Sequence, residues 1–372
     1  MYSEHCLPIF KPTVEKTFLA DKIILSHGED SYLLEGSLDF LKSLHAAMNG
    51  QNTIMQISDL VCTELPQKKH EDVLEAIEQL DQMRLLEDNY FNLNKLNYIS
   101  QDVIDRWCRN FDFFGSLLSL TENKYAIQAR LQEAKVCLLG LGGLGSNIIL
   151  SLAAIGIKNV VAADFDRIEQ SNLNRQILYK ESDVGSIKSE TAEKRIKDFY
   201  PQMQTDISQQ KFESMEQLSE FIQGCDLVIG VADKPRMKMP IWMNEACVKN
   251  KIPFISGGLS VNRGVFYSVV PGDSGCVRCW RSQANEESSL SKAVHEDKHT
   301  THTQFETPYS WPAIIPLVSF VSGAMVTEVV KILTNIGSPS YTNKLTQICF
   351  KNVETKVVEQ WEKQPDCPVC GS

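Results

Sequence analysis

Gly140, Gly142 and Gly145 stand at GxGxxG spacing in VCLLGLGGLGSNIILSLAAIG, directly after a strand-like apolar run and before a helix-like one. Such a turn aims backbone N–H groups and the positive end of a helix at a phosphate, and Gly143 adds another position without a side chain. Asp164 closes the next apolar run, NVVAAD, where a carboxylate can accept a bond from a ribose hydroxyl. These residues suit a redox dinucleotide and ATP equally.

The following stretch, DFDRIEQSNLNRQILYKESDVGSIKSE, places Asp166, Asn172, Asn174, Arg175, Gln176 and Lys188 just beyond that carboxylate. Arg175 and Lys188 can neutralise β- and γ-phosphate charge while an α-phosphate is attacked, which a nicotinamide cofactor does not require. Either residue taken alone could be a solvated surface charge; with the glycine loop they favour ATP. Asp233 follows the apolar strand LVIGV, at the carboxyl end where ligands of parallel sheets bind, although capping the next helix is an alternative role.

Cys276-Val-Arg-Cys279 and Cys367-Pro-Val-Cys370 are two CxxC hooks, the spacing at which paired thiolates reach a tetrahedral Zn²⁺. Two hooks in a chain read as cytosolic favour a closed structural zinc site over disulfides or free thiols. Cys137 and Cys225 are expected to be packing residues. His295, His299 and His302 lie in a polar stretch with no helical scaffold and are read as solvated.

GLGGLG, DFDRIEQSNLNRQ, DVGSIK and VAD together resemble the adenylating family of ubiquitin-activating enzymes and bacterial sulfur-carrier activators, over roughly residues 101 to 372. The resemblance implies that ATP and a carboxylate condense to an acyl adenylate and pyrophosphate. It implies Asp164 on the ribose, Asn174, Arg175 and Lys188 on the phosphates, and Asp233 acting with Mg²⁺ at the reacting carboxylate. Arg106-Trp107-Cys108-Arg109-Asn110 resembles a family segment whose arginine reaches into the ATP site of a partner subunit, so a homodimer with Arg106 or Arg109 as that finger is implied. An ion pair holding the linker is the alternative for either arginine.

Ubiquitin-activating enzymes pass the acyl group to a cysteine between the halves of the domain, but no cysteine stands between Trp280 and Ile348 here. The acidic N-terminal region, RWCRN, NKYAIQARLQEAKV, PGDSGCVRC and CPVCG resemble instead the peptide-modifying subgroup that includes the microcin C and pantocin A enzymes. That implies adenylation of a carboxylate on a ribosomally made precursor peptide in bacterial antibiotic biosynthesis, without an enzyme thioester. Dehydrative cyclisation is the preferred outcome; a P–N linked nucleotidyl peptide of microcin C type, or sulfur-carrier adenylation, is the alternative. A nicotinamide oxidoreductase and a catalytically inactive peptide scaffold rank below these.

Elements must position these residues. The alternation KVCLL, SNIILSLAAIG, NVVAAD, DLVIGVAD and IPFISGG predicts an α/β fold with a doubly wound, Rossmann-like parallel sheet over 135–372. Residues 101–134 form a linker. Residues 1–100 predict a small winged-helix-like domain: a hairpin over 21–36 around SHGEDS, a helix with Leu38, Leu41, Leu44 and Met48 on one face, and another in HEDVLEAIEQLDQMRLL.

The first 100 residues carry 8 Lys/Arg against 16 Asp/Glu, and the whole chain has a net charge of −10. This acidity excludes broad phosphate-backbone binding, so nucleic acid is not an expected partner and a peptide pairing with the hairpin edge is. The start MYSEHCLPIFKP lacks the pattern of a signal peptide, and the eleven cysteines suit a reducing compartment, so a cytoplasmic location is expected. The apolar segment 312–330, broken by polar residues, predicts a buried helix and no membrane span. The polar run 281–310 is expected to be a loop or lid.

Overall fold

The computed structural model describes residues 2–19, 22–34, 37–232, 234–235, 238–287 and 312–371. Residues 288–310 of the expected loop, with its three histidines, and Asp233 lie outside the described residues, whereas 281–287 are helical where the sequence predicts loop. The chain divides into two compact units, Met1–Arg130 and Leu131–Ser372.

The first unit contains β1 (Pro8–Phe10), β2 (Glu15–Phe18), β3 (Ile23–His27), β4 (Asp30–Leu34), α1 (Leu38–Ala47), α2 (Ile54–Glu64), α3 (His70–Gln82), β5 (Leu86–Asp88), α4 (Asn89–Leu93) and α5 (Gln101–Leu117). Helix α6 (Lys124–Glu133) spans the boundary. The expected hairpin is β3–β4, paired from Ile23↔Leu34 to His27↔Asp30, with Gly28 in the left-handed region at φ +62°. An outer strand, β2, joins it on the other side of β3; its sequence EKTF is exposed throughout and gives no alternating pattern to read.

Ser37 caps α1 by accepting from the Phe40 N–H, and Thr53 with Gln56 forms a capping box at the start of α2. The apolar faces of these helices close a core around Leu25, Leu44, Ile57, Val61, Val73 and Ile77. Lys11 is buried there, and its Nζ donates to the carbonyls of Arg84, Ser116 and Leu118, fixing the chain that leaves α5.

The second unit contains β6 (Lys135–Leu139), α7 (Gly143–Ile155), β7 (Asn159–Ala163), α8 (Lys188–Phe199), β8 (Gln204–Ser208), α9 (Met215–Phe221), β9 (Leu227–Gly230), α10 (Met239–Asn250), β10 (Phe254–Ser260), β11 (Arg263–Val269), α11 (Val277–Glu287), α12 (Ile315–Thr334), β12 (Lys344–Cys349) and β13 (Glu354–Gln360). These strands form one eight-stranded sheet in the order β13-β12-β11-β10-β9-β6-β7-β8. The five strands from β8 to β10 are parallel, and β11, β12 and β13 extend the sheet antiparallel. The parallel strands β6, β7 and β9 read as continuous apolar runs because both faces are covered.

Helix α12 is apolar and long enough to pass a length-and-composition test for a membrane span, yet half of its most apolar window is buried inside the fold. It packs on α7, β10 and β11, with Met325 filling the space above Gly257 and Val321 that above Gly264. Glu328, fully buried on this helix, accepts from Ser268 Oγ and from the N–H groups of Ser340 and Tyr341. The helix expected to be buried thus has one face in the core, while Phe320 on it is 54% exposed.

Candidate active site and cysteine cluster

From β6 the sheet grows through β7 in one direction and β9 in the other, so a crevice opens at the carboxyl ends of β6 and β9. The glycine loop lies at this reversal. Gly140 has φ +99°, and a Cβ there would stand 3.0 Å from the Ala232 nitrogen in the turn after β9. A Cβ at Gly145 would run into the carbonyl oxygen of Gly140. These two glycines let the backbone close on itself. Gly142 and Gly143 have room for a Cβ; the space beside them leads to Gln176 Nε2 and to the aliphatic stem of Arg175. No side chain caps the start of α7, so no side chain takes up its first N–H groups.

Asp164 is held at the end of β7, with Oδ2 accepting from the Leu141 N–H at 2.7 Å and Oδ1 from the Asp166 N–H at 2.8 Å. Burial raises its pKa, and the Lys188 charge and those two N–H groups oppose the rise. Lys188, with its side chain 6% exposed, stands 3.4 Å from Asp166 Oδ2. Arg175 Nη1 donates to the Ser171 carbonyl at 2.9 Å and to Asn174 Oδ1 at 2.8 Å. Gln176 is 2% exposed, and its Oε1 has no hydrogen-bond partner among the described residues. A buried, unpaired amide oxygen beside a glycine loop is a polar group awaiting a ligand or water.

The structure thus brings Gly140, Gly142, Gly143, Gly145, Asp164, Asp166, Arg175, Gln176 and Lys188 to one crevice. Asn172 turns back, its Oδ1 accepting from the Glu169 N–H, and Asn174 Nδ2 donates to the Ala313 carbonyl. Arg106 and Arg109 lie exposed on α5 in the first unit, flanking Trp107, where the helix kinks at φ −114°, ψ 23°. The Arg106 guanidinium stands 5.3 Å from the Trp107 ring.

Three supporting residues escape sequence reading. Asn147 Nδ2 donates to the Gly143 and Arg175 carbonyls, tying the first turn of α7 to the arginine loop. Its one signal is a buried amide inside an apolar helix. Tyr179 donates to the Leu141 carbonyl, and Lys234 stands 3.5 Å from Asp166 Oδ1; neither has a distinctive spacing.

The four hook cysteines form a second cluster, with all sulfurs within 4.8 Å of one another. Cys276 Sγ lies 3.7 Å from Cys367 Sγ, and Cys279 Sγ lies 3.4 Å from Cys370 Sγ. Thiolates about 2.3 Å from a tetrahedral zinc stand roughly 3.8 Å apart, so the donor set and spacing fit that ion. Gly275 and Gly371 flank the hooks where a Cβ would meet the backbones of Glu362 and Cys367. Trp361, 1% exposed, donates to the Gly275 carbonyl and stacks on Trp280 at 5.2 Å, sealing the tail against the sheet.

The ThiF family matches residues 114–369, a span that takes in the glycine loop, the crevice, the first cysteine hook and Cys367 of the second. The chain belongs to the ThiF family. It is an ATP-dependent adenylating enzyme on the strength of that membership. This ThiF-family chain is 28% identical over 271 residues to the sulfur carrier protein ThiS adenylyltransferase of Escherichia coli, covering 71% of this chain and 96% of the relative. It is 26% identical over 300 residues to the adenylyltransferase and sulfurtransferase UBA4 of Lodderomyces elongisporus; the match takes in 80% of this chain and spans 62% of that protein's length.

Among solved structures, E. coli MccB with AMPCPP and MccA matches at TM-score 0.76 and 21% identity, over 98% of this chain and 99% of that one. PaaA matches at TM-score 0.70 and 20% identity, over 95% and 100%. At these identities the likeness is one of fold. It extends beyond the ThiF region into the N-terminal unit.

Proposed function

We propose that this enzyme adenylates a carboxylate of a ribosomally made precursor peptide in bacterial antibiotic biosynthesis, and that the activated peptide then cyclises with loss of water. One observation carries the reading: the ThiF domain follows an acidic N-terminal unit with an open groove lined by apolar residues together with His45, Lys68, Asp72 and Glu75, an arrangement that a sulfur-carrier activator does not need. The groove, about 460 Å³, lies between the β3–β4 hairpin, α1 and α3 and is lined by Ile23, Leu25, Leu33, Leu44, Leu80 and Met83. Strand β4 is an edge of its three-stranded sheet, so a leader segment can pair with its backbone while apolar side chains enter the groove. The whole-chain likeness to MccB, solved with its MccA peptide, supports the same arrangement.

In this reading the N–H groups of the glycine loop and the start of α7 receive the phosphates, and Asp164 receives the ribose. Arg175 and Lys188, with Asn172, Asn174 and Gln176 around them, stabilise charge as the peptide carboxylate attacks the α-phosphate and pyrophosphate leaves. Asp233 serves with Mg²⁺ at the reacting groups, and Arg106 or Arg109 completes the site of a second copy in a homodimer. Cys276, Cys279, Cys367 and Cys370 hold a structural Zn²⁺ that fixes the C-terminal tail.

A P–N linked nucleotidyl peptide is the second reading, supported by the MccB likeness itself. Mass spectrometry of short peptides encoded beside the gene, incubated with enzyme and Mg-ATP, tests both. Loss of about 18 Da per turnover with AMP release supports cyclisation; retention of the nucleotide mass supports the second reading; an unmodified peptide set alongside an adenylated sulfur carrier overturns both.

A further inference from the structure

We propose that Lys234 is an additional phosphate-binding cation of the adenylation site, held by Asp166 until the nucleotide arrives. The proposal rests on the crevice being the ATP site. A single carboxylate is shared by two ammonium groups: Lys188 Nζ stands 3.4 Å from Asp166 Oδ2 and Lys234 Nζ stands 3.5 Å from Oδ1. Among the described residues placed in the crevice, the cations Arg175, Lys188 and Lys234 outnumber the carboxylates Asp164 and Asp166, an excess that an anionic ligand can satisfy. Both separations exceed the 2.7–2.9 Å or so of a tight charge-assisted hydrogen bond, so neither pair is strong enough to compete with a triphosphate.

The two lysines differ in freedom. Lys188 is fixed, with its side chain 6% exposed and its N–H donating to the Asp166 carbonyl at 3.1 Å. Lys234 is 57% exposed in its side chain and can move. Its backbone lies two residues past Ala232, whose nitrogen abuts the glycine loop at Gly140. Its Nζ also lies 5.6 Å from the centre of the Phe165 ring, beside Asp164. Lys234 therefore lies by the Phe165–Asp166 end of the crevice on a segment that abuts the glycine loop, with a side chain free to turn toward a bound nucleotide. An ordinary surface ion pair explains the contact with Asp166 but not the shared carboxylate at this position.

The test uses the full-length protein and calorimetric titration with AMP and with Mg-ATP, comparing wild type, Lys234→Met and Lys234→Arg. Lys234→Met is expected to weaken Mg-ATP binding about tenfold or more, the loss of one charged hydrogen bond, with AMP affinity changed less than about twofold. Lys234→Arg, which keeps the charge, is expected to recover most of the difference. Thermal melting of each ligand-free variant establishes that the fold is kept, as the exposure of Lys234 leads one to expect. Unchanged Mg-ATP affinity in Lys234→Met, with binding normal in wild type, overturns this inference alone. An equal loss for AMP and Mg-ATP also overturns it, because the effect then lies in the nucleoside end. Absence of nucleotide binding by wild type overturns the site reading and this inference together.

Discussion

The hydroxyl of Tyr179 donates to the carbonyl oxygen of Leu141 at 2.9 Å, inside the fold and directly behind the glycine loop. The same Leu141 residue donates its N–H to Asp164, so the loop is held from both sides of one residue. Burial, together with the charges of Asp164 and Asp183, raises the Tyr179 pKa far above its ordinary value, so the hydroxyl stays a donor throughout the working pH range. Tyr179→Phe leaves the carbonyl unpaired and is expected to cost about 1–3 kcal/mol of stability, and to weaken ATP binding as the loop loosens. Denaturant unfolding and nucleotide titration check the two effects; a variant as stable and as tight-binding as wild type contradicts the role.

Gly145→Ala is expected to do more damage than Gly142→Ala to the fold. The first places a methyl group against the Gly140 carbonyl, where only backbone movement can relieve it; the second meets nothing closer than 3.8 Å. The expected order reverses the usual assumption that all glycines of a phosphate loop serve the ligand. Thermal melting without nucleotide separates them, since Gly142→Ala should melt like wild type and lose only nucleotide affinity. Equal destabilisation by both would show that the Gly142 space is not open.

Much of this was legible in the sequence because the parallel part of the fold has local signatures: apolar runs, a glycine turn, and carboxylates at strand ends. The CxxC pairs were legible for the same reason, two ligands being fixed by one short spacing. The antiparallel extension was not. Strand β13 is exposed along its whole length and carries no apolar alternation, and β11 follows β10 through a two-residue turn, Val261-Asn262, without a strong turn signal. Tyr179 and Lys234 were illegible because their roles depend on partners 38 and 68 residues away, Leu141 and Asp166. No periodicity encodes such pairs.

Removing the proposed zinc is expected to loosen the C-terminal tail before it unfolds the sheet. The four thiols join residues 91 apart, and Trp361, packed against Trp280 and Tyr267, stands just ahead of the tail that Cys367 and Cys370 anchor. Metal analysis should find about one zinc per chain, and a chelator should red-shift tryptophan emission as the Trp280–Trp361 stack opens. Cys370→Ser should lower the melting temperature by several degrees. Metal-free protein with unchanged emission and melting would exclude a structural ion.

Leu33→Asp, on the edge strand at the groove, is expected to weaken binding of the precursor leader by about tenfold or more while leaving the ATP affinity alone. Leu33 is 50% exposed, so the substitution spares the core and isolates the peptide surface. Fluorescence anisotropy with a labelled peptide measures it. Full retention of peptide affinity would move the leader site away from β4.

The reaction is expected to proceed without a covalent enzyme–peptide thioester. No cysteine lies between Arg281 and Gln347, and the four hook thiols are expected to be occupied by metal and therefore poor nucleophiles. Of the remaining seven, Cys6, Cys137, Cys225 and Cys247 are buried, Cys62 and Cys349 are partly covered, and Cys108 is exposed on α5 between the two arginines. Cys108 is thus the thiol that a contrary result would implicate. Acid-quenched enzyme examined by intact-mass spectrometry during turnover should show the mass of the unmodified chain. A peptide-sized increase that hydroxylamine or thiol removes, and that Cys108→Ser abolishes, would replace direct use of the adenylate with acyl transfer through that residue.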